Sequence, residues 1–223
     1  MGGHAAKGRK VRCLLFCLIA LGASSPARSD TIAEVLERSQ KVRLEAFDTV
    51  TPDSARAQTV RNSFNTLVRA LDLPEPVELR VIRGDTLAET LQGRVLVANE
   101  SLADWPEADR LFVLAHELGH VVLGHWSQMG LMFQKWVPGI VTQQETDSVA
   151  ALLGRDASRL AYGQEYEADA FAAQTMAALG MPSHDAVAVF MRLGAHKDTA
   201  THPGTQRRLA ALRAREPLAQ PAR

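Results

Sequence analysis

His116-Glu117-Leu118-Gly119-His120 lies inside the otherwise apolar stretch from Leu111 to Leu123, and no other five residues constrain this chain as tightly. On an α-helix, positions four apart lie one turn apart and about 40° around the axis. Two imidazoles at that spacing can grip one zinc ion, and the Glu117 carboxylate beside them can take a proton from the attacking water. Leu111, Val113, Leu114, Leu118, Val121 and Val122 make the segment apolar nearly all round, which marks a buried helix. A buried helix carries two histidines and a glutamate only where they are paired or bound to something. A helix here implies a zinc hydrolase, and a peptidase before any other kind.

A chain of 223 residues is long enough for one good core. With 46% hydrophobic and 22% charged residues the composition is that of a globular protein, and no block of like charges suggests nucleic acid. The first thirty residues read differently. Lys7, Arg9, Lys10 and Arg12 precede an apolar run from Cys13 to Ala23, followed by the small or turn-forming Ser24, Ser25, Pro26 and Ala27. That is the layout of a secretory signal peptide over residues 1–27, with an uncleaved membrane anchor as the alternative. Its removal would take both cysteines, Cys13 and Cys17, so the exported chain would rely on its core and its metal rather than on disulfides. Arg outnumbers Lys by 20 to 5, which suggests a GC-rich bacterial genome and hence the periplasm.

The remaining pattern is mostly helical, within a single domain expected over residues 28–216 and a disordered tail over 217–223. Two N-terminal helices are expected within residues 31–72, the second opened by Thr51 as N-cap with Pro52 at its first position. Val77, Leu79 and Val81 alternate with charged residues, and Arg94–Ala98 is a second apolar run, so an antiparallel pair of strands is expected between the helices and the zinc helix. If the strand before the zinc helix lies at a sheet edge, its free backbone groups can pair with an extended substrate; an ordinary structural strand is the alternative. Pro106 opens the zinc helix. Residues 126–156 are apolar but interrupted by Gly130, Pro138 and Gly139, and read equally as a mobile lid or as core. Helical patterns return over 157–179, over 183–193, and from Pro203 to about Arg215.

A catalytic zinc site needs a third protein ligand. A histidine six residues after His120, with glycine at the third position between, is excluded because Trp126 and Leu123 stand there; His125 is one residue short and is expected to face elsewhere. The alternative is a downstream carboxylate. Glu165 and Asp169 are four apart in Glu165-Tyr166-Glu167-Ala168-Asp169 and share a helix face, so one can bind zinc while the other accepts a hydrogen bond from a ligating histidine. The apolar residues that follow argue against a solvated acidic face.

HELGH at 116–120, EYEADAFA at 165–172, and Thr201-His202-Pro203 with Arg208 beyond it resemble, in that order, the HtpX and type I CAAX prenyl protease family of zinc metallopeptidases. The resemblance covers residues 77–212 and is closest to a small, soluble, exported branch of gluzincin type. It implies an α+β, zincin-like catalytic domain with a small antiparallel sheet packed on the zinc helix. It also implies one zinc ion per chain held by His116, His120 and Glu165, with Glu117 as general base and Asp169 as partner of a zinc-bound histidine. His202 would lie near the metal, stabilising the oxyanion or capping the zinc at rest, with a surface histidine as the plainer reading. Arg208 would organise the site or serve as a structural ion-pair partner. The substrate would be protein or peptide, in envelope protein quality control; a non-proteolytic or self-inhibited zinc-binding chaperone is the rival. Membrane association would come only through an uncleaved N-terminal segment.

Overall fold

The computed structural model describes residues 30–73, 75–181 and 184–215. The signal-peptide reading and the disordered-tail reading fall outside these residues. In chain order the elements are α1 (Ile32–Glu45), α2 (Ala55–Ala70), β1 (Glu78–Ile82), β2 (Ala88–Leu91), β3 (Val95–Asn99), a 3₁₀ turn (Glu100–Asp104), α3 (Glu107–Val122), α4 (His125–Trp136), α5 (Gln143–Ala178), α6 (His184–Leu193) and α7 (Thr205–Arg215). Among the described residues the architecture is α+β and mostly helical, with one three-stranded sheet.

α3 is the axis of the molecule. Leu111, Leu114, Ala115 and Leu118 are fully buried on it, which is why the sequence can be apolar nearly all round. It packs on α2, α5, α6 and the sheet. Phe112 meets Phe190 of α6 edge to face, with ring centroids 6.0 Å apart. Gly119 lets α5 come close: a Cβ there would stand 3.2 Å from the Ala168 Cα and 3.1 Å from Phe171 Cδ1. The small residue thus brings the helix bearing Glu165 against the helix bearing both histidines.

The sheet differs from the expected antiparallel pair. Its order is β1-β3-β2, with β1 parallel and β2 antiparallel to the central β3. The unexpected strand is β2, from within the segment read as a connection. A tight turn joins it to β3: Arg94 N–H bonds to the Leu91 carbonyl, and Gln92 and Gly93 have φ of 52° and 65°, the left-handed pair that suits a two-residue hairpin. Because β2 supplies the antiparallel neighbour, β1 takes the other side of β3 in parallel. The strand leading into the zinc helix is therefore central, with β1 at one edge and β2 at the other. α1 braces the β2 edge, with Arg43 paired to Glu89 and the Gln92 N–H donating to Gln40.

Other boundaries shift for local reasons. α2 is capped by Ser54, whose hydroxyl accepts from Ala57 N–H at 3.1 Å, rather than by Thr51. Residues 126–156 form most of α4 and the first part of α5; only Val137 among them is buried, so they are not core. α5 begins well before residue 157 because Thr142 caps it, accepting from Glu145 N–H while its hydroxyl donates to the Glu145 carboxylate. It ends at the left-handed Gly180, where a stop was expected. No helix among the described residues is long and apolar enough to cross a membrane.

Candidate metal centre

The α3–α5 crossing brings together His116, His120 and Glu165, whose ligand atoms all lie within 4.8 Å of one another. His116 Nε2 and His120 Nε2 face each other at 3.2 Å; Glu165 Oε1 is 3.5 Å from His120 Nε2, and Glu165 Oε2 is 3.7 Å from His116 Nε2. The edge of a tetrahedron with arms of about 2.05 Å is about 3.3 Å, so these spacings suit tetrahedral zinc. Three further observations fit a cation here. Among the described residues Glu165 Oε2 is buried without a hydrogen-bond partner; Arg208 Nη1 stands 3.3 Å away, out of line for a bond. The Glu165 carboxyl is pushed up by burial, but His120, His116 and Arg208 outweigh this and hold it down at about 2. Burial likewise works to lower the His116 pKa, yet Asp169 and Glu165 overcome it and raise it, so the cluster draws positive charge toward itself.

Each flank of the cluster is fixed. His116 Nδ1 lies 3.0 Å from Asp169 Oδ1, so this ring donates to the carboxylate and presents Nε2 to the centre. Asp169, 1% exposed, is gripped in turn by Arg208 of α7, through Nε at 2.8 Å and Nη2 at 2.5 Å. Burial raises the Asp169 carboxyl, but Arg208 and His116 prevail and keep it below the usual carboxylate range. Arg208 also lies over the Phe190 ring, 5.0 Å from its centroid. Arg208 is thus the ion-pair partner of both α5 carboxylates, Asp169 and Glu165.

Glu117 points from α3 toward β2. The Thr90 hydroxyl stands 2.8 Å from its carbonyl oxygen and 2.9 Å from Oε2, its single proton serving one at a time. His202 lies on the loop before α7 with Nε2 3.6 Å from Glu165 Oε1, although its side chain is 61% exposed. Thr199 shapes that loop, and the Tyr162 hydroxyl donates to the Thr199 carbonyl at 2.7 Å. A cleft of about 670 Å³ runs over the cluster, bounded by α1, β2, Trp126 and Met129 of α4, and His202.

Residues 54–216 match the family model of peptidase family M48. The chain belongs to that family. It is a metallopeptidase of the HtpX-like, zinc-dependent kind, and the matched segment holds every site residue described above while leaving α1 outside. A comparison with curated proteins finds no match.

Two residues that sequence reasoning missed also stand against the cluster. Thr90 sits on the unexpected β2. His125, expected to face elsewhere, has Nδ1 2.9 Å from His120 Nδ1. Had α3 continued, residue 125 would lie about 140° around the axis from His120. Instead Gly124 adopts φ 67°, α3 ends, and α4 begins at His125. Burial and the neighbouring His120 push the His125 pKa down to about 4, so its ring is neutral. The glycine just past the apolar run was the available signal.

Proposed function

We propose that the chain is a zinc-dependent endopeptidase, exported to the bacterial periplasm, that hydrolyses peptide bonds of protein substrates in envelope quality control. The observation that carries the catalytic part is the convergence of His116, His120 and Glu165, with a buried Glu165 oxygen that makes no hydrogen bond among the described residues. In this reading one zinc ion is held by these three side chains. When bound, zinc acidifies water and polarises a carbonyl.

The chain's own residues supply the rest. Glu117, next to His116 and steadied by Thr90, takes the proton of the attacking water and passes it to the leaving amine. Asp169 keeps the His116 hydrogen on Nδ1, and Arg208 holds Asp169 ionised. His202 would donate to the developing oxyanion, and its place beside Glu165 equally suits a cap over the metal at rest. An extended substrate would pair with β2, the edge strand that borders the cleft, which favours unfolded or loosely folded proteins.

Glu117→Gln tests this directly. The expected result is loss of casein hydrolysis by at least about a hundredfold with zinc content unchanged, because only the proton transfer is removed. Normal turnover by a zinc-loaded Glu117→Gln variant would sink the proposal. Equal performance of the two proteins in an envelope-stress assay would favour the chaperone rival for the biological role.

A further inference from the structure

The two histidines of the zinc motif are steadied differently. His116 has the carboxylate of Asp169 against its outer nitrogen. His120 has another histidine: His125 Nδ1 stands 2.9 Å from His120 Nδ1, and His125 Nε2 stands 3.2 Å from Glu167 Oε2. The rings of His120 and His125 meet edge to face with centroids 4.8 Å apart. His125 is only 3% exposed, and Gln164 Nε2 donates to its backbone carbonyl at 3.1 Å, fastening the start of α4 to α5.

Hydrogen-bond chemistry gives this chain one direction. Of two ring nitrogens facing each other at 2.9 Å, one carries the hydrogen and the other accepts it. His120 Nε2 points at His116 Nε2 and Glu165, so it must be bare to serve as a ligand, and a neutral His120 then carries its hydrogen on Nδ1. His125 accepts it at Nδ1, which leaves the His125 hydrogen on Nε2. Glu167, an acceptor when ionised, receives that second bond at the solvent edge.

We propose that His125, braced by Glu167, is the positioning residue for His120, fixing the ring's tautomer and orientation so that Nε2 is presented to the metal. This rests on the reading that His116, His120 and Glu165 hold zinc. One helix then backs both histidines, because α5 carries Asp169 for His116 and Glu167 for His125 beside the ligand Glu165. The left-handed Gly124 is what makes the arrangement possible, by returning the chain to His120 immediately after α3.

The test is zinc affinity of the full-length chain, by competition with a chromophoric chelator, together with the ligand-field spectrum of the Co²⁺-substituted protein. His125→Leu keeps the bulk and removes the acceptor. His125→Asn sacrifices bulk but places its carboxamide oxygen where Nδ1 stood. Glu167→Ala alters a half-exposed side chain and leaves packing intact. The expected losses are about 10- to 100-fold for His125→Leu, about threefold for His125→Asn and an intermediate loss for Glu167→Ala. The Co²⁺ spectrum should change in His125→Leu and stay close to wild type in His125→Asn. A role in packing alone reverses the order, because leucine fills the site better than asparagine. Affinity in His125→Leu equal to or above that in His125→Asn overturns the proposal. Absence of zinc from the wild type itself would instead overturn the ligand set on which it rests.

Discussion

Gly119→Ala should weaken both the fold and the metal site, although helix propensity alone predicts the opposite. An alanine in a helix interior is favoured over glycine by about 1 kcal/mol. At position 119 the added methyl would meet Phe171 Cδ1 at 3.1 Å, the Ala168 Cα at 3.2 Å and Phe171 Cβ at 3.3 Å. The phenyl ring can turn aside, but the Ala168 contact is helix backbone, so α5 itself must retreat by a few tenths of an ångström. Overpacking of this kind costs about 1–3 kcal/mol. The net expectation is a loss of about 0–2 kcal/mol. Gly163→Ala is the matched control, because it lies inside α5 with nothing within 4 Å of an added Cβ; it should gain about 1 kcal/mol. Ala168 lies one turn from Glu165, so retreat of α5 also disturbs the ligand geometry, and zinc affinity should fall on the order of tenfold. Urea unfolding and chelator competition on the two variants and wild type give both quantities. If Gly119→Ala matches Gly163→Ala in stability and keeps wild-type zinc affinity, the close α3–α5 crossing is not what assembles the site.

Arg208→Ala should destabilise the metal-free protein by about 3–5 kcal/mol, since it strands the buried Asp169 carboxylate; a loss under about 1 kcal/mol in urea unfolding would contradict the pairing. Chelated protein should lose stability as pH falls below about 4.5. Glu165 has its pKa lowered to about 2 in the fold, so its contribution is full above the unfolded value and disappears as pH drops through the folded one. At most about 3 kcal/mol is involved, and stability unchanged from pH 5 to pH 2.5 would contradict this electrostatic reading.

The parts of the site that were legible in the sequence are those where chemistry dictates residue type. HELGH declared itself because apolar residues surround three polar ones, and the paired spacing of Glu165 and Asp169 placed both on one face of α5 ahead of an apolar run. His202 and Arg208 were legible only through resemblance to a family; nothing in their own surroundings marks them. The parallel β1–β3 pairing was hidden because β2 has four residues, Ala88-Glu89-Thr90-Leu91, with no clean alternation to announce a strand. The early start of α5 was hidden by a polar, exposed helix without a core face, although Thr142 and Glu145 at capping-box spacing signalled it. His125 was set aside because only its spacing from His120 was weighed, whereas the turn at Gly124 places its ring against His120.

The central claim is that His116, His120 and Glu165 together hold one zinc ion. Metal analysis of the purified full-length chain beside its Glu165→Ala variant tests it most directly, since that substitution removes one donor and leaves the zinc motif untouched. The account predicts about one zinc per wild-type chain and, after dialysis against a mild chelator, little or none in the variant. Equal zinc in the two proteins would contradict it.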